Sequence, residues 1–363
     1  MDSLTQIVLG AAVGELIAGR KIGNQAMLWG AVAGTIPDLD VLANPFLDIV
    51  QELRWHRSLM HSILFAVIVS PLLGWLFNVL GTKYKLKFLS EMSFKRWTHL
   101  FFWGMITHSW LDIFTTWGTK ILYPFSDYGY ALKTVFVVDF FYTIPFLILL
   151  LWARFLPVYK NNTGNSTKTY NSKRTFLVWF GVGMSSFYLL MGVINQQRVN
   201  SVFEENLKTQ NIDYLRYDTK TTPLNILLWN NIVETKDGYY SGYYSVLDKP
   251  VLDKSTEIKY HYFDKNWQLL DPIKDNEKVK QLLEVPQGYY TVEKNTENGN
   301  TIYQINDLRF GQLDGWQNGD GDFVFTYLIT EDKNGNLSFE QKKNKFDEGF
   351  ALVEQLFNRA LGN

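Results

Sequence analysis

"HRSLMHS", residues 56–62, stands directly before the apolar run "ILFAVIVSPLLGWLFNVL", residues 63–80. The chain has 363 residues and only five histidines, and two of them, His56 and His61, lie in this stretch. A run of this length approaches the ~20 apolar residues needed to cross a bilayer. Ionisable side chains at the mouth of a membrane span are costly, so a functional reading is the default for them.

Outward from this point the chain divides in two. Residues 1–194 hold further apolar runs, among them "FFWGMITHSWLDIF", "FYTIPFLILLLWARFL" and "TFLVWFGVGMSSFYLLMGVI", while 195–363 are polar, charged and rich in tyrosine. Candidate membrane segments fall at about 4–19, 24–37, 59–80, 97–114, 136–156 and 174–194. The first two are short and rich in Gly and Ala, and small residues let helices approach closely in lipid. The expected fold is therefore an α-helical membrane bundle of about six helices (1–194), followed by an extracytoplasmic α+β domain with an antiparallel sheet (195–363). In that second domain a polar helix ("QQRVNSVFEENLKTQ") precedes seven strand-like runs and a final amphipathic helix, "FDEGFALVEQLFNRAL". The pairs Asn298–Gly299 and Asn334–Gly335 suit tight hairpin turns.

Orientation follows from Lys and Arg in short loops, which favour the cytoplasm. The loop after the third segment carries Lys83, Lys85, Lys87, Lys95 and Arg96, and the one after the fifth carries Lys160, Lys168, Lys173 and Arg174. Both charged loops go inside, so the N-terminus and the domain after residue 194 fall outside a multi-pass protein of the cell (inner) membrane. "MDSLTQIVLGAAVGEL" lacks a basic leader and carries Asp2 and Glu15, so it is expected to be a retained helix and not a cleaved signal. The net charge of −1 and the lack of a basic patch interleaved with aromatics give no sign of nucleic-acid binding. With no cysteine, disulfides, thiolate catalysis and Cys-type metal sites are excluded.

This topology gathers ionisable groups on one membrane surface. "PDLD" puts Asp38 and Asp40 after the second segment. His56 and His61 are too far apart to share an ideal helix face, which places the first in a loop and the second in a first turn. "THSWLD" sets His108 and Asp112 at i and i+4, on one helix face. Asp139 opens the fifth segment from the same side. Imidazole and carboxylate without thiolate suit Zn²⁺, with Mn²⁺ or Fe²⁺ as the other candidates. Six candidate ligands (Asp38, Asp40, His56, His61, His108 and Asp112) allow one ion or two. The competing reading makes each aspartate a helix N-cap or a solvated loop group. His99 and His261 are expected to be structural, and Glu15 to pair with Arg20 or with another helix.

The motifs "MDSLTQ", "GRKIGNQAMLWGAVAGTIPDLD", "HRSLMHS", "THSWLDIFTTWGT", "YPFS" and "VVDFFYTIP" resemble those of the YdjM-like family of predicted inner-membrane metal-dependent hydrolases. The likeness extends to "TPLNILLWN", "GYYSVLD" and "NDLRFG", so it covers most of the chain. It implies a metal-dependent hydrolase with Asp38, Asp40, His56, His61, His108 and Asp112 as its polar centre. Many relatives begin with a Thr-His pair where this chain has Thr5–Gln6. The HxxxD helix without cysteine also looks, remotely, like zinc-dependent phospholipase C enzymes.

The expected function is hydrolysis of an ester or phosphoester at the outer membrane–water interface, with a membrane lipid as substrate. Metal would lower the pKa of a bound water and polarise the scissile group. Asp40 or Asp139 would take the proton, and Arg54 or Arg57 would hold an anionic headgroup. Two alternatives remain open. One is a non-enzymatic membrane protein with a structural metal or polar network and a partner-binding outer domain. The other is a transporter.

Overall fold

A computed structural model of the chain describes residues 1–161, 168–248, 257–316, 321–342 and 349–362. Half of the low-complexity stretch "NNTGNSTKTYNS" of residues 161–172, namely 162–167, and the first residues of the expected terminal helix (346–348) lie outside the described residues. Two compact units divide the chain: Met1–Asn44 with Trp55–Gly192, and Pro45–Arg54 with Val193–Asn363.

The first unit is helical. In chain order it contains α1 (Ser3–Ile22) and α2 (Gln25–Thr35), then a 3-10 stretch, Pro37–Phe46, that begins in it. Helix α3 (Ile49–Trp55) ends at its border, and a short 3-10 turn, Leu59–His61, precedes α4 (Ile63–Tyr84). After α5 (Lys87–Ser90), α6 (Phe94–Asp112) and α7 (Phe140–Phe155) comes a small hairpin of β1 (Tyr159–Asn161) and β2 (Lys168–Tyr170). Helix α8 (Ser172–Thr209) then supplies residues to both units. The sequence suggested a membrane segment followed by a separate polar helix here. No Gly or Pro separates Ile194 from Gln210, so nothing breaks the ladder and the two are one helix.

Helices α4 and α8 are long and apolar enough to cross a membrane. The pair α2 and Pro37–Phe46, bent by 46°, would make a third if it forms one broken span. Helix α7 is apolar but shorter. Helices α1 and α6 have 20 and 19 residues but carry ionisable groups, Glu15, Arg20 and Lys21 in the one and Lys95, Arg96, His99, His108 and Asp112 in the other.

Close backbone contact fixes the helices that matter for the site. Gly10 and Gly14 of α1 face Gly30 and Gly34 of α2, two GxxxG patterns in register. A Cβ added at Gly14 would stand 2.0 Å from the Ala26 carbonyl oxygen, and one at Gly30 would stand 2.3 Å from that of Gly10. Helix α6 joins through Gly104, where a Cβ would meet that of Ala33 at 2.5 Å. Below this seam the bundle is filled by Trp97, Leu100, Phe101 and Met105 with Ala18, Ala26 and Ala66, and by partly buried Trp29 and Phe77. At the other end from the HRSLMHS stretch, Glu15 is fully buried and receives Arg174 Nε at 2.7 Å and Nη2 at 2.9 Å. Tyr170 also donates to it at 2.6 Å. The sequence left the partner of Glu15 open between Arg20 and another helix; it is the first turn of α8.

The second unit holds two four-stranded antiparallel sheets. One is ordered β3 (Arg216–Thr221), β4 (Leu228–Glu234), β5 (Gly238–Ser245), β6 (Tyr260–Asp264). The other is ordered β10 (Leu337–Gln341), β9 (Phe323–Glu331), β8 (Asn300–Gln312), β7 (Tyr290–Glu297). Helices α9 (Glu277–Glu284) and α10 (Gly349–Ala360) complete it. Asn298 and Gly299 have φ of 52° and 80°, as the two-residue turn between β7 and β8 requires. The C-terminal part of α8 packs Val199 and Phe203 on Trp229 and Tyr244. The second sheet packs on α9 and on Val50, which is 1% exposed, so Pro45–Arg54 completes this core although it lies far upstream in the chain.

Candidate metal centre

Helix α2 ends because Pro37 has no N–H to continue the ladder. The carbonyl of Gly34, in the last turn of the helix, is open to another donor, as at any helix C-terminus. His108 takes it: its Nδ1 lies 2.6 Å from the Gly34 oxygen. With Nδ1 donating, Nε2 is the lone-pair nitrogen and points into the centre, the usual way a ligating imidazole is oriented by its outer partner.

Four residues converge there: Asp38, His61, His108 and Asp112, with one donor atom from each within 4.8 Å of all the others. His61 Nε2 and His108 Nε2 face each other at 3.2 Å. Asp38 Oδ1 lies 3.5 Å from the first and 3.3 Å from the second. Asp112 Oδ2 lies 3.4 Å and 3.5 Å from the same two nitrogens. Nitrogen and oxygen ligands at ~2.0–2.1 Å from a tetrahedral Zn²⁺ stand about 3.3 Å from one another. Five of the six edges of this group therefore have the length of a tetrahedral ligand edge. The His108 lone pair, the facing His61 Nε2 and two carboxylate oxygens at such separations need a shared cation or proton.

Buried polar atoms left over at the centre agree with this. Asp112 Oδ1 accepts from Gln6 Nε2 at 2.9 Å and from the Met1 amino group, while Oδ2 is buried without a hydrogen-bond donor. One oxygen is thus held by protein donors and the other is aimed at the imidazoles. Gln6 Oε1 and Asp40 Oδ1 are also buried without partners. Among the four, His61, His108 and Asp112 are almost wholly enclosed, whereas the Asp38 side chain is 21% exposed and opens the centre on its side.

The remaining sequence candidates are placed differently. Asp40 sits behind His61, with Oδ2 3.6 Å from the Nδ1 edge, and accepts the Arg57 N–H at 3.0 Å. His56 lies outside the group of four. Its Nδ1 is 3.3 Å from Asp40, its side chain is about one-third exposed at 34%, and its ring meets Trp117 edge-on. Arg57, held at a φ of 57°, buries its guanidinium behind Asp112, with Nε 3.3 Å from Oδ2 and Nη1 donating to Thr115 at 2.6 Å. Asp139 is not brought to the centre. It caps α7, accepting from the N–H groups of Phe141 and Tyr142 and from the Tyr188 hydroxyl at 2.8 Å. Arg54 belongs to the second unit and lies 3.4 Å from Glu284. His99 is exposed, and His261 is paired opposite Ser241 within a sheet.

Gln6, which stands where many relatives have the His of a Thr-His pair, also reaches the centre, a contact the sequence reading did not expect. It touches both Asp112 and, at 3.4 Å, the His108 carbonyl. Its signal in the sequence is the departure from that Thr-His pair.

No solved structure matches the chain. One curated relative, described as "Uncharacterized protein YfhP" from Bacillus subtilis (strain 168), is 28% identical over 255 residues, covering 67% of this chain and 68% of its own. The family model described as "YdjM inner membrane protein" matches residues 1–199, a stretch that contains all four converging side chains. On that match, over more than half its length, the chain belongs to the YdjM family of inner membrane proteins.

Proposed function

We propose that the chain is a membrane-bound metallohydrolase that cleaves an ester or phosphoester of a lipid at the membrane–water boundary. The tetrahedral spacing of the donor atoms of Asp38, His61, His108 and Asp112 carries the reading. The metal is a divalent transition ion, Zn²⁺ by the chemistry of two imidazoles and two carboxylates, with Mn²⁺ and Fe²⁺ next. Such an ion supplies Lewis acidity toward a water molecule and toward the oxygen of the scissile group.

The protein's own residues do the rest. His108 is locked by Gly34, so its ring needs no reorganisation, while Asp40 faces the Nδ1 edge of His61 at 3.6 Å. Asp40, not itself among the four, is the group that accepts a proton at Oδ1, its unpartnered oxygen. Arg57, its guanidinium buried between Asp112 and Thr115, holds Asp112 in place and offsets its charge; it does not reach a headgroup. Six membrane helices with the second unit outside the cell membrane are part of this proposal. The apolar α4 and α8 and the excess of Lys and Arg in the loops around 83–96 and 160–174 support it.

A second reading has its own observation. Three of the four donors are enclosed, as in structural sites that use every position for protein. In that case the ion would only clamp the end of α2 to the turn before α4 and to α6.

One experiment separates the two. Purified protein is assayed for bound metal and, with total lipid extract, for products by mass spectrometry. The expected outcome is stoichiometric metal in the native chain and in Asp40→Asn, lipid turnover in the native chain alone, and neither in His108→Ala. Full metal content in a His61/His108 double alanine variant would falsify the centre. Metal present with every lipid species unchanged would leave the structural clamp.

A further inference from the structure

The segment that delivers the two aspartates has two faces. Asp40 is 2% exposed, while its neighbours Leu39, Val41 and Leu42 are 43%, 48% and 67% exposed. A loop from α6 presents a matching edge, with Leu122 at 41% and Phe125 at 83%. Both edges are tied to the same stretch of backbone. Asp40 accepts the Arg57 N–H, the Arg57 carbonyl accepts the Lys120 N–H at 3.0 Å, and the Ile121 carbonyl accepts the Ile63 N–H at 3.0 Å. The two apolar edges are therefore both anchored on residues 57–63, the stretch that carries His61.

Two observations indicate what covers them. Ile63 is the first residue of α4, a helix long and apolar enough to span a membrane, so the loop bonded to it lies level with the end of a span. Pro37–Phe46 together with α2 passes the same apolar test as a bent pair. The edges are also not uniformly apolar, because exposed Asp127 lies two residues beyond Phe125 and pairs with Lys120 at 3.4 Å. Apolar side chains interleaved with charge at the end of a span suit the headgroup–acyl boundary, where amphipathic surfaces lie.

We propose that Leu39, Val41, Leu42, Leu122 and Phe125 form a rim bedded in one membrane leaflet, so that the metal centre faces lipid headgroups and not bulk water. The occupant is the bilayer itself. A substrate then reaches Asp38, the exposed member of the four, by moving sideways within the leaflet with its acyl chains still in the hydrocarbon. That last consequence rests on the hydrolase reading; the depth of the rim does not.

The absence of cysteine makes depth measurable. Single variants Leu42→Cys, Phe125→Cys and Asn334→Cys of the full chain are spin-labelled and reconstituted in vesicles of phosphatidylcholine and phosphatidylglycerol. Collision rates with oxygen, which partitions into lipid, and with a water-soluble nickel chelate are then compared. The ratio of oxygen to nickel collision is expected to be severalfold higher at 42 and 125 than at 334, which lies in an exposed hairpin of the second unit. A ratio at either rim position equal to that at 334 overturns the proposal. A high ratio at both positions, with no lipid turnover by the native chain, keeps the rim and removes the hydrolase.

Discussion

His108 shows how much one residue can settle, because its two nitrogens face two different partners. The sequence disclosed it, together with Asp38, His61 and Asp112, since each stands in a short polar motif at the end of an apolar run. Asp139 stands in the same kind of motif and turned out to be an N-cap. A short carboxylate serves either purpose, and only the position of the neighbouring backbone separates them. Gln6 was marked only by the resemblance, because an amide has neither charge nor a characteristic spacing of its own. Glu15 was flagged as needing a partner, but the residue that supplies it lies 159 positions away, beyond any local pattern. That pair invites a test. Arg174→Ala leaves a buried carboxylate unpaired and is expected to cost about 3–5 kcal/mol. The double variant Glu15→Gln, Arg174→Met should recover much of the loss, as measured by thermal unfolding in detergent. Equal destabilisation in both would show that packing, and not charge, governs this position.

At the scale of elements, the tight pairing of α1 with α2 was expected from "GAAVG" and "GAVAG", and the glycines do bring the two backbones together. Helix ends moved by a few residues, mostly because capping is decided by side chains: Ser62 caps α4 by accepting from Phe65, so His61 is left in the turn before it. Strand β3 was missed since "RYDTKT" alternates charged and polar groups and offers no apolar face of its own. The α1–α2 seam also positions the centre, for Gln6 stands on one helix and Asp38 follows the other. Gly14→Leu is therefore expected to push the helices apart, destabilise the protein by at least the ~1–3 kcal/mol of an overpacked core, and lower metal content with it. Gly183→Ala is the control, since an added Cβ there meets nothing within 4 Å. A Gly14→Leu protein with native stability and full metal content would separate the seam from the site.

For the whole molecule, the sequence showed an apolar half followed by a polar, strand-rich half with one antiparallel sheet, where the structure has two four-stranded ones. Alternation and turn residues are local signals, so they survive reading from a single chain. Membership of Pro45–Arg54 in the second unit depends on a distant core and left no local trace. Orientation is a property of the whole molecule too. A cysteine at Asn334 should react with an impermeant maleimide in right-side-out vesicles, while one at Lys85 should react only after the membrane is opened. The reverse pattern would invert the proposed topology.

The same ten-residue segment bears on how the chain is made. Val50 fills the core beneath the second sheet, and Asp48 bonds Lys278 across 230 residues at 2.8 Å. During synthesis that segment leaves the ribosome long before any strand it will support. It must wait, beside helices entering the bilayer, until α9 and the last strands emerge. Contacts so distant in the chain close slowly, and domains otherwise tend to fold as they are made, N-terminal first. Assembly of the second unit is thereby tied to the fate of a loop delivered at the very start of membrane insertion, and a fragment beginning at Val193 carries a core with its earliest piece left out.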